Sequence, residues 1–377
     1  MTRHRGLERI DVNGRERIRA ILRGTPVDRV GFWLGNPWEL TKQAYARELG
    51  VTYVEPSAPL EGDHTVLAAA AVRKAKADAD LALVLGSDLF WWSPEHDPAA
   101  WRHPDGKPIF DCYGGRQRES LGQPGILATC KDPGELDEIE WPDPVHFDFS
   151  TTLAVLDSIH ERGMAVASGM WAPFFHVLCD FFGMENYFVK MHTHPEVVAA
   201  ATERLLGFYV EANRRFLDAA GGAVDVLFFG NDLGSQDNLL ISPAAFEEFV
   251  YPGIERLVEQ AKEYGLAVML HSCGAVGKVI PRFLAAGVDA LHPLQAKAAG
   301  MAAHELAERF RGQVAFVGGV DTQVLLPERG PDEVSCEVRR LIELFGPRFV
   351  VSPSHEALLP HVPLENVLAM RNAARDA

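Results

Sequence analysis

The chain of 377 residues lacks any apolar run approaching the roughly 20 residues that a bilayer span needs. Its longest apolar stretches, Leu81 to Gly86 and Ala223 to Gly230, are short and interrupted, so no membrane helix is expected. Basic charge is also scarce. Against 52 Asp and Glu stand 36 Lys and Arg, a formal net charge of -16 that repels nucleic acid and anionic lipid, and neither is expected as a partner. Five cysteines, an odd number at 112, 130, 179, 273 and 336, make no disulfide framework. The basic start Met1 to Arg9 has no apolar core behind it and does not read as a secretory signal, so a cytoplasmic location is expected. The chain also lacks GxGxxG, GxxxxGK[ST] and nucleophile-elbow motifs, low-complexity tracts and visible repeats.

What is present is a 47% hydrophobic chain, enough for a large core, with one pattern recurring along it. A short apolar run ends abruptly in polar or small residues and is followed by a helix-like stretch. Strands are read at Arg29 to Leu34, Ala82 to Leu85, Met164 to Ala167, Val224 to Phe229, Ala267 to Leu270, Val288 to Leu291, Val314 to Val317 and Phe349 to Val351. Eight such units favour an α/β fold of the closed (β/α)8, or TIM-barrel, type over an open doubly wound sheet. A leading helix from Asn13 to Arg23 is expected before the first strand. Helices are also read at Pro243 to Tyr264 and Pro331 to Phe345, each opening with proline in its first turn. Residues 93–149, rich in proline, glycine and tryptophan, read as an insertion over one barrel mouth, with hairpin strands at 108–113 and 125–130. The whole chain, 1–377, is expected to form one barrel domain.

A barrel carries its reactive groups at the C-terminal ends of its strands, and those ends are polar here. After the fifth strand comes His271-Ser272-Cys273. Side chains two apart in an extended segment project to one face, so an imidazole and a thiolate converge, as a zinc site requires. A third ligand would come from another strand, with His355 after the eighth the best candidate and His292 after the sixth the second. A packed or hydrogen-bonded pair is an equally open reading of the same spacing. Asp232 after the fourth strand reads as general acid/base or substrate anchor, or as an Asx cap; Asp321 after the seventh carries the same two readings. Asn231, Gln236, His292 and Gln295 are further polar candidates for substrate contact. Met170 to His176, with Trp171, would line a pocket for an apolar or aromatic substrate. Phe90-Trp91-Trp92 reads as a ligand wall or, as is commoner for aromatic runs beside prolines, as satellite core, and the other four cysteines read as inert.

The order and spacing of several segments resemble the uroporphyrinogen decarboxylase superfamily over nearly the whole chain. They are Gly24-Thr25-Pro26-Val27-Asp28-Arg29-Val30, Asn231-Asp232-Leu233-Gly234-Ser235-Gln236, His271-Ser272-Cys273-Gly274, Gly318-Gly319-Val320-Asp321 and Pro360-His361-Val362-Pro363-Leu364. The superfamily also contains zinc- and corrinoid-dependent methyltransferases. The resemblance implies a (β/α)8 barrel with its active site at the strand C-termini. The decarboxylases' arginine-rich N-terminal segment is replaced here by Val30-Gly31-Phe32-Trp33-Leu34-Gly35-Asn36-Pro37-Trp38. The motif at 271–274 looks instead like the methyltransferase metal motif, in which zinc is held by a histidine and two cysteines. His355 stands where the second cysteine is expected, and the decarboxylases also have a histidine in that segment.

The implied activity is methyl transfer between a corrinoid and a small thiol or a methoxylated or methylated substrate. His271, Cys273 and His355 would bind zinc, Asp232 and His355 would be catalytic, and Gln236 would help orient substrate. No corrinoid-binding Asp-x-His-x-x-Gly segment is present, so cobalamin would arrive free or on a separate corrinoid protein. A homodimer is compatible with this reading. Two other classes stand beside it: a metal-free decarboxylase using Asp232, and a non-catalytic barrel that binds a small molecule.

Overall fold

The computed structural model describes residues 12–53, 64–107, 109 and 123–377. Eight parallel strands run in the order β1-β8-β7-β6-β5-β4-β3-β2. They are β1 (Gly31–Phe32), β2 (Leu89–Trp91), β3 (Ala165–Ser168), β4 (Val226–Gly230), β5 (Ala267–His271), β6 (Ala290–His292), β7 (Ala315–Val320) and β8 (Phe349–Pro353). With helices between them this is a nearly closed (β/α)8 barrel, as the alternating pattern implies.

Strand alternation sorts each run into two cores. Val226, Phe228, Met269, Ala290, Ala315, Val317 and Val350 point into the barrel, while Leu227, Phe229, Leu270, Leu291, Phe316 and Val351 pack against the surrounding helices. The N-terminal helix Gly14–Arg23 closes the bottom with Ile18, Ile21 and Leu22. Its start is fixed by a capping box between Asn13 and Glu16, and its end by Gly24 at φ 67.

The joint between β1 and β2 is made largely by one residue. Asp88 gives its N–H to Phe32 O at 2.7 Å and takes the Phe32 N–H on Oδ2 at 2.9 Å. The same carboxylate receives Arg17 Nη1 at 2.7 Å and Arg29 Nη1 at 2.9 Å, and Arg17 also pairs with Asp28. This explains the Val27-Asp28-Arg29 motif as part of the barrel's closure.

Four expectations change. Ala82 to Leu85 is not a strand: the alanine-rich helix His64–Val84 runs through it, burying Ala75, Ala79 and Ala82 at helical spacing, and the second strand is Leu89–Trp91. A short apolar run fits either period, and here the preceding helix continues. The stretch Pro243 to Tyr264 forms two helices, Pro243–Phe249 and Tyr251–Glu263, because Pro252 supplies no N–H to a continuing helix. The Pro331–Phe345 helix has the expected bounds. Residues 125–130 form a turn and not a hairpin strand: Leu127 donates to Phe181 O at the end of the helix Phe174–Phe182. Ile109 is also in a turn, and the rest of the expected strand at 108–113, Cys112 included, lies outside the described residues. Trp91 belongs to β2, and its ring stands against Trp171 and Phe228 inside the mouth. Among the described residues no helix is long and apolar enough to cross a membrane.

Candidate active site

The inward set of β4 ends in Gly230 and continues past the strand as Asp232, and that of β5 ends in His271 and continues as Cys273. Parallel register sets Gly230 beside His271 and His271 beside His292. Gly230 has no room for a side chain, since a Cβ there would lie 2.5 Å from the Trp171 ring. That ring therefore reaches across β4 to stand 5.2 Å from His271.

The two loops lock together through glycine. A Cβ on Gly274, at φ +86, would lie 2.1 Å from Gly234 O, and one on Gly234 would lie 2.5 Å from Ala275 N. The backbones also exchange Ala275 N–H to Ser235 O at 2.8 Å, and Ser272 Oγ takes the Leu233 N–H at 3.2 Å. Gly274→Ala is expected to lower the unfolding free energy by about 2–3 kcal/mol, measured by urea denaturation. An unchanged value would mean that the loops do not depend on this close approach.

The lock brings three donor types to one point. His271 Nε2 lies 3.0 Å from Asp232 Oδ1 and 3.4 Å from Cys273 Sγ, and Asp232 Oδ1 also takes the Cys273 N–H at 2.9 Å. Donor atoms of Asp232, His271 and Cys273 all lie within 4.8 Å of one another. Tetrahedral zinc sets nitrogen and sulfur ligands about 3.5 Å apart, so imidazole, thiolate and carboxylate here fit that ion in type and spacing. Behind them is a second group, His271, His292 and Glu356. His271 Nδ1 is 3.0 Å from His292 Nδ1 and 3.8 Å from Glu356 Oε2. Glu356 Oε2 and His292 Nε2 are buried with no hydrogen-bond partner among the described residues.

Charge follows from these neighbours. Burial pushes His271 down, but the charge of Glu356 and the bonds to Asp232 and Cys273 outweigh it and hold the imidazole well above its usual value. His292 goes the other way, lowered by burial and by the charge of His271, and stays neutral. Burial raises the Asp232 carboxyl, yet the hydrogen bond and charge of His271 and the Cys273 N–H carry it well below the ordinary carboxylate range. His355, at the end of β8, is raised chiefly by a hydrogen bond to Cys273, while its Nδ1 takes the Ala357 N–H at 3.1 Å.

Other sequence candidates have different surroundings. Asn231 is buried and holds the loop after β3, accepting from Phe175 N at 2.8 Å and donating to Ala172 O at 3.3 Å. Asp321 caps the following turn through the N–H groups of Gln323, Val324 and Leu325. Gln236 is exposed in the loop after β4. Gln295 bonds Gly274 N through Oε1 at 2.7 Å and lines, with His355, a cavity of about 500 Å³ at the ends of β6, β7 and β8.

Two acidic residues emerge only in three dimensions. Glu356 was adjacent to a candidate but carried no signal of its own. Glu95, in the proline-rich segment, accepts from the backbone N–H groups of Trp171 and Ala172, the latter held at φ 47. Burial in the mouth pushes its carboxyl from 4.5 up to about 7, against the bonds from Trp171, Ala172 and Tyr209. A carboxyl raised in the folded state holds its proton there after the unfolded chain has lost it. Stability should therefore fall as pH rises from about 4.5 to about 7 and level off above, by at most about 3 kcal/mol. Urea unfolding across this range should show the slope in the wild type and lose it in Glu95→Gln; an equal slope in both would remove Glu95 as its origin.

Barrel, strand-end cluster and motif order together define the class. The uroporphyrinogen decarboxylase (URO-D) family model matches residues 117–377, and the chain belongs to that family. A methylated-thiol--coenzyme M methyltransferase of Methanosarcina mazei is 26% identical over 248 residues, 64% of this chain. The match spans 62% of that relative's length. A solved methyltransferase from Methanosarcina mazei shares the fold with a TM-score of 0.66 at 18% identity, covering 97% of this chain and 99% of its own.

Proposed function

We propose that this chain is a zinc-dependent methyltransferase that moves a methyl group between a corrinoid and a small thiol or a methoxylated or methylated substrate. The observation that carries the reading is the convergence of Asp232, His271 and Cys273 on one point at the barrel mouth. The methyltransferase relative supports it. His271 and Cys273 would hold the ion; Asp232 is the third donor in the present arrangement, and His355 becomes the third if its ring turns in from β8. Bound there, zinc would polarise the sulfur or oxygen that gives or takes the methyl group.

The chain's own groups prepare that point. His292 fixes the orientation of the His271 ring through Nδ1, as outer partners of metal-ligating histidines do, and the Glu356 carboxylate lies behind it at 3.8 Å as a charge. Trp171 walls the cluster on the β3 side and limits water. Asp232, when not a ligand, is an ionised acceptor aimed at His271 and Cys273. A corrinoid would reach the mouth free or on a separate protein. The decarboxylase reading needs cationic anchors for its substrate's carboxylates, and no Lys or Arg lines the cavity among the described residues.

The test is elemental analysis of untagged protein, wild type and Asp232→Asn, Cys273→Ala and His355→Ala, followed by transfer assays with cobalamin. Near-stoichiometric zinc that is lost in Cys273→Ala, with methyl transfer to or from cobalamin, is the expected result. The remaining two variants identify the third ligand. A wild type that takes up no zinc would overturn the proposal.

A further inference from the structure

The segment after β3 carries Trp171 and Ala172, and the backbone polar groups of both residues are all paired. Trp171 O takes the Gly230 N–H at 3.0 Å, and Ala172 O takes the Phe174 N–H at 2.8 Å and Asn231 Nδ2 at 3.3 Å. The two N–H groups donate to a single atom, Glu95 Oε2, and neither has another acceptor among the described residues. Ala172 sits at φ 47, a left-handed conformation that a residue with a side chain keeps only where its surroundings hold it.

Glu95 is itself delivered by a fixed stretch of chain. Beyond β2, the Trp92 N–H bonds Ala167 O at 3.1 Å and Ser168 Oγ bonds Trp92 O at 2.5 Å, so the chain stays seated on β3. Ser93 Oγ then takes the Glu95 N–H at 3.3 Å across the turn that begins at Pro94. The Glu95 carboxyl also meets the hydroxyl of Tyr209, which is buried on the helix Pro195–Ala220. The Trp171 ring has its own seat: Trp91 at 4.9 Å, Phe228 at 5.2 Å, and the space that Gly230 leaves by lacking a Cβ. There it stands 5.2 Å from the His271 ring. Aromatic neighbours thus hold the indole, while one carboxylate oxygen holds the backbone that carries it.

We infer that Glu95 is a positioning residue of the candidate site: by gathering the N–H groups of Trp171 and Ala172 on one oxygen, it keeps the indole against Gly230 and beside His271, and so sets how large a group can reach Cys273 from the β3 side. With that oxygen withdrawn, two N–H groups lose their acceptor and nothing holds Ala172 at its positive φ, so the segment relaxes and carries the indole with it. The inference rests on the methyltransferase reading only in taking Cys273 as the point to be reached; the wall itself is measured without metal or methyl donor.

The measurement is alkylation of Cys273 in the full chain, kept metal-free by a chelator and followed by peptide mass spectrometry so that each cysteine is read by itself. Iodoacetamide is the small probe and 5-iodoacetamidofluorescein the bulky one. Trp171→Ala and Glu95→Ala are each expected to raise labelling by the bulky probe at least about fivefold, and labelling by iodoacetamide by less than about twofold. Because both N–H groups meet one oxygen, the amide oxygen of Glu95→Gln can replace it, and that variant should label within about twofold of the wild type. Adding Glu95→Ala to Trp171→Ala should change labelling by less than about twofold, since both act through one ring. Glu95→Asp draws the oxygen back by one carbon, and it takes the place of Glu95→Ala, with the same expectation, should the alanine variant not unfold cooperatively in urea. A smaller rise in either single variant overturns the inference, as does an equal rise with iodoacetamide, or a Glu95→Gln or double variant outside its stated range. Zinc content and methyl transfer are read separately, so the methyltransferase proposal can fail while the wall stands, and the reverse.

Discussion

On the zinc-methyltransferase proposal, the wild type is expected to purify with about one zinc ion per chain, and Cys273→Ala to purify with zinc at background level and to lose methyl transfer by at least about a hundredfold. The thiol is the softest donor in the cluster, and its sulfur lies 3.4 Å from His271 Nε2. Without it, His271 and Asp232 remain as a hydrogen-bonded ion pair that competes with metal instead of sharing it. Cys336→Ala is the control, because Cys336 is exposed on the helix Pro331–Phe345 and should keep its zinc. Glu356→Gln should weaken zinc about 10–100-fold without abolishing it, since that carboxylate stands behind His271, a ligand in the proposed site. Full zinc in Cys273→Ala, measured by elemental analysis, would remove the thiol from the metal site.

Asp88→Asn should have the largest effect on stability, about 3–5 kcal/mol, read from urea unfolding. Arg17 and Asp88 are each about 5% exposed or less, and Arg29 completes the buried group. Removing the negative charge leaves Arg29 without its carboxylate and Arg17 with Asp28 alone. The amide would also place donor hydrogens where the Phe32 N–H now donates. A loss below about 1 kcal/mol would show that other contacts close the joint between β1 and β2.

How legible the molecule was in its sequence follows from periodicity. Val226, Phe228, Gly230 and Asp232 on one side, and Met269, His271 and Cys273 on the next, keep period two from the barrel core to its mouth, so these inward positions could be read from the chain. The same pattern placed seven of the eight strands correctly and missed β2, where a long alanine-rich helix continued through the chosen run. Register between strands has no such signal. That His271 would lie beside His292 depends on the stagger of the barrel, which no single strand encodes. Glu95 reaches the mouth from a segment without periodicity, and Glu356 looked like a bystander to His355. Asn231 and Asp321 were legible as polar strand ends, but only the structure reveals the backbone N–H groups that occupy them.

The wall of the cavity and the thiol-imidazole-carboxylate cluster come from different arcs of the barrel. Asp232, His271 and Cys273 hang on β4 and β5, while Thr322, Gln323 and Ser354 follow β7 and β8. His355 lines the cavity and bonds Cys273, and Gln295 lines it and takes the N–H of Gly274, the residue after Cys273. Exchanges in the second arc can therefore reshape the cavity while leaving the first arc's backbone lock undisturbed. On the proposed function, selectivity could then drift in small steps without a pause in reactivity, and a laboratory search for new substrates would best leave 230–234 and 271–274 fixed and vary 322, 323 and 354.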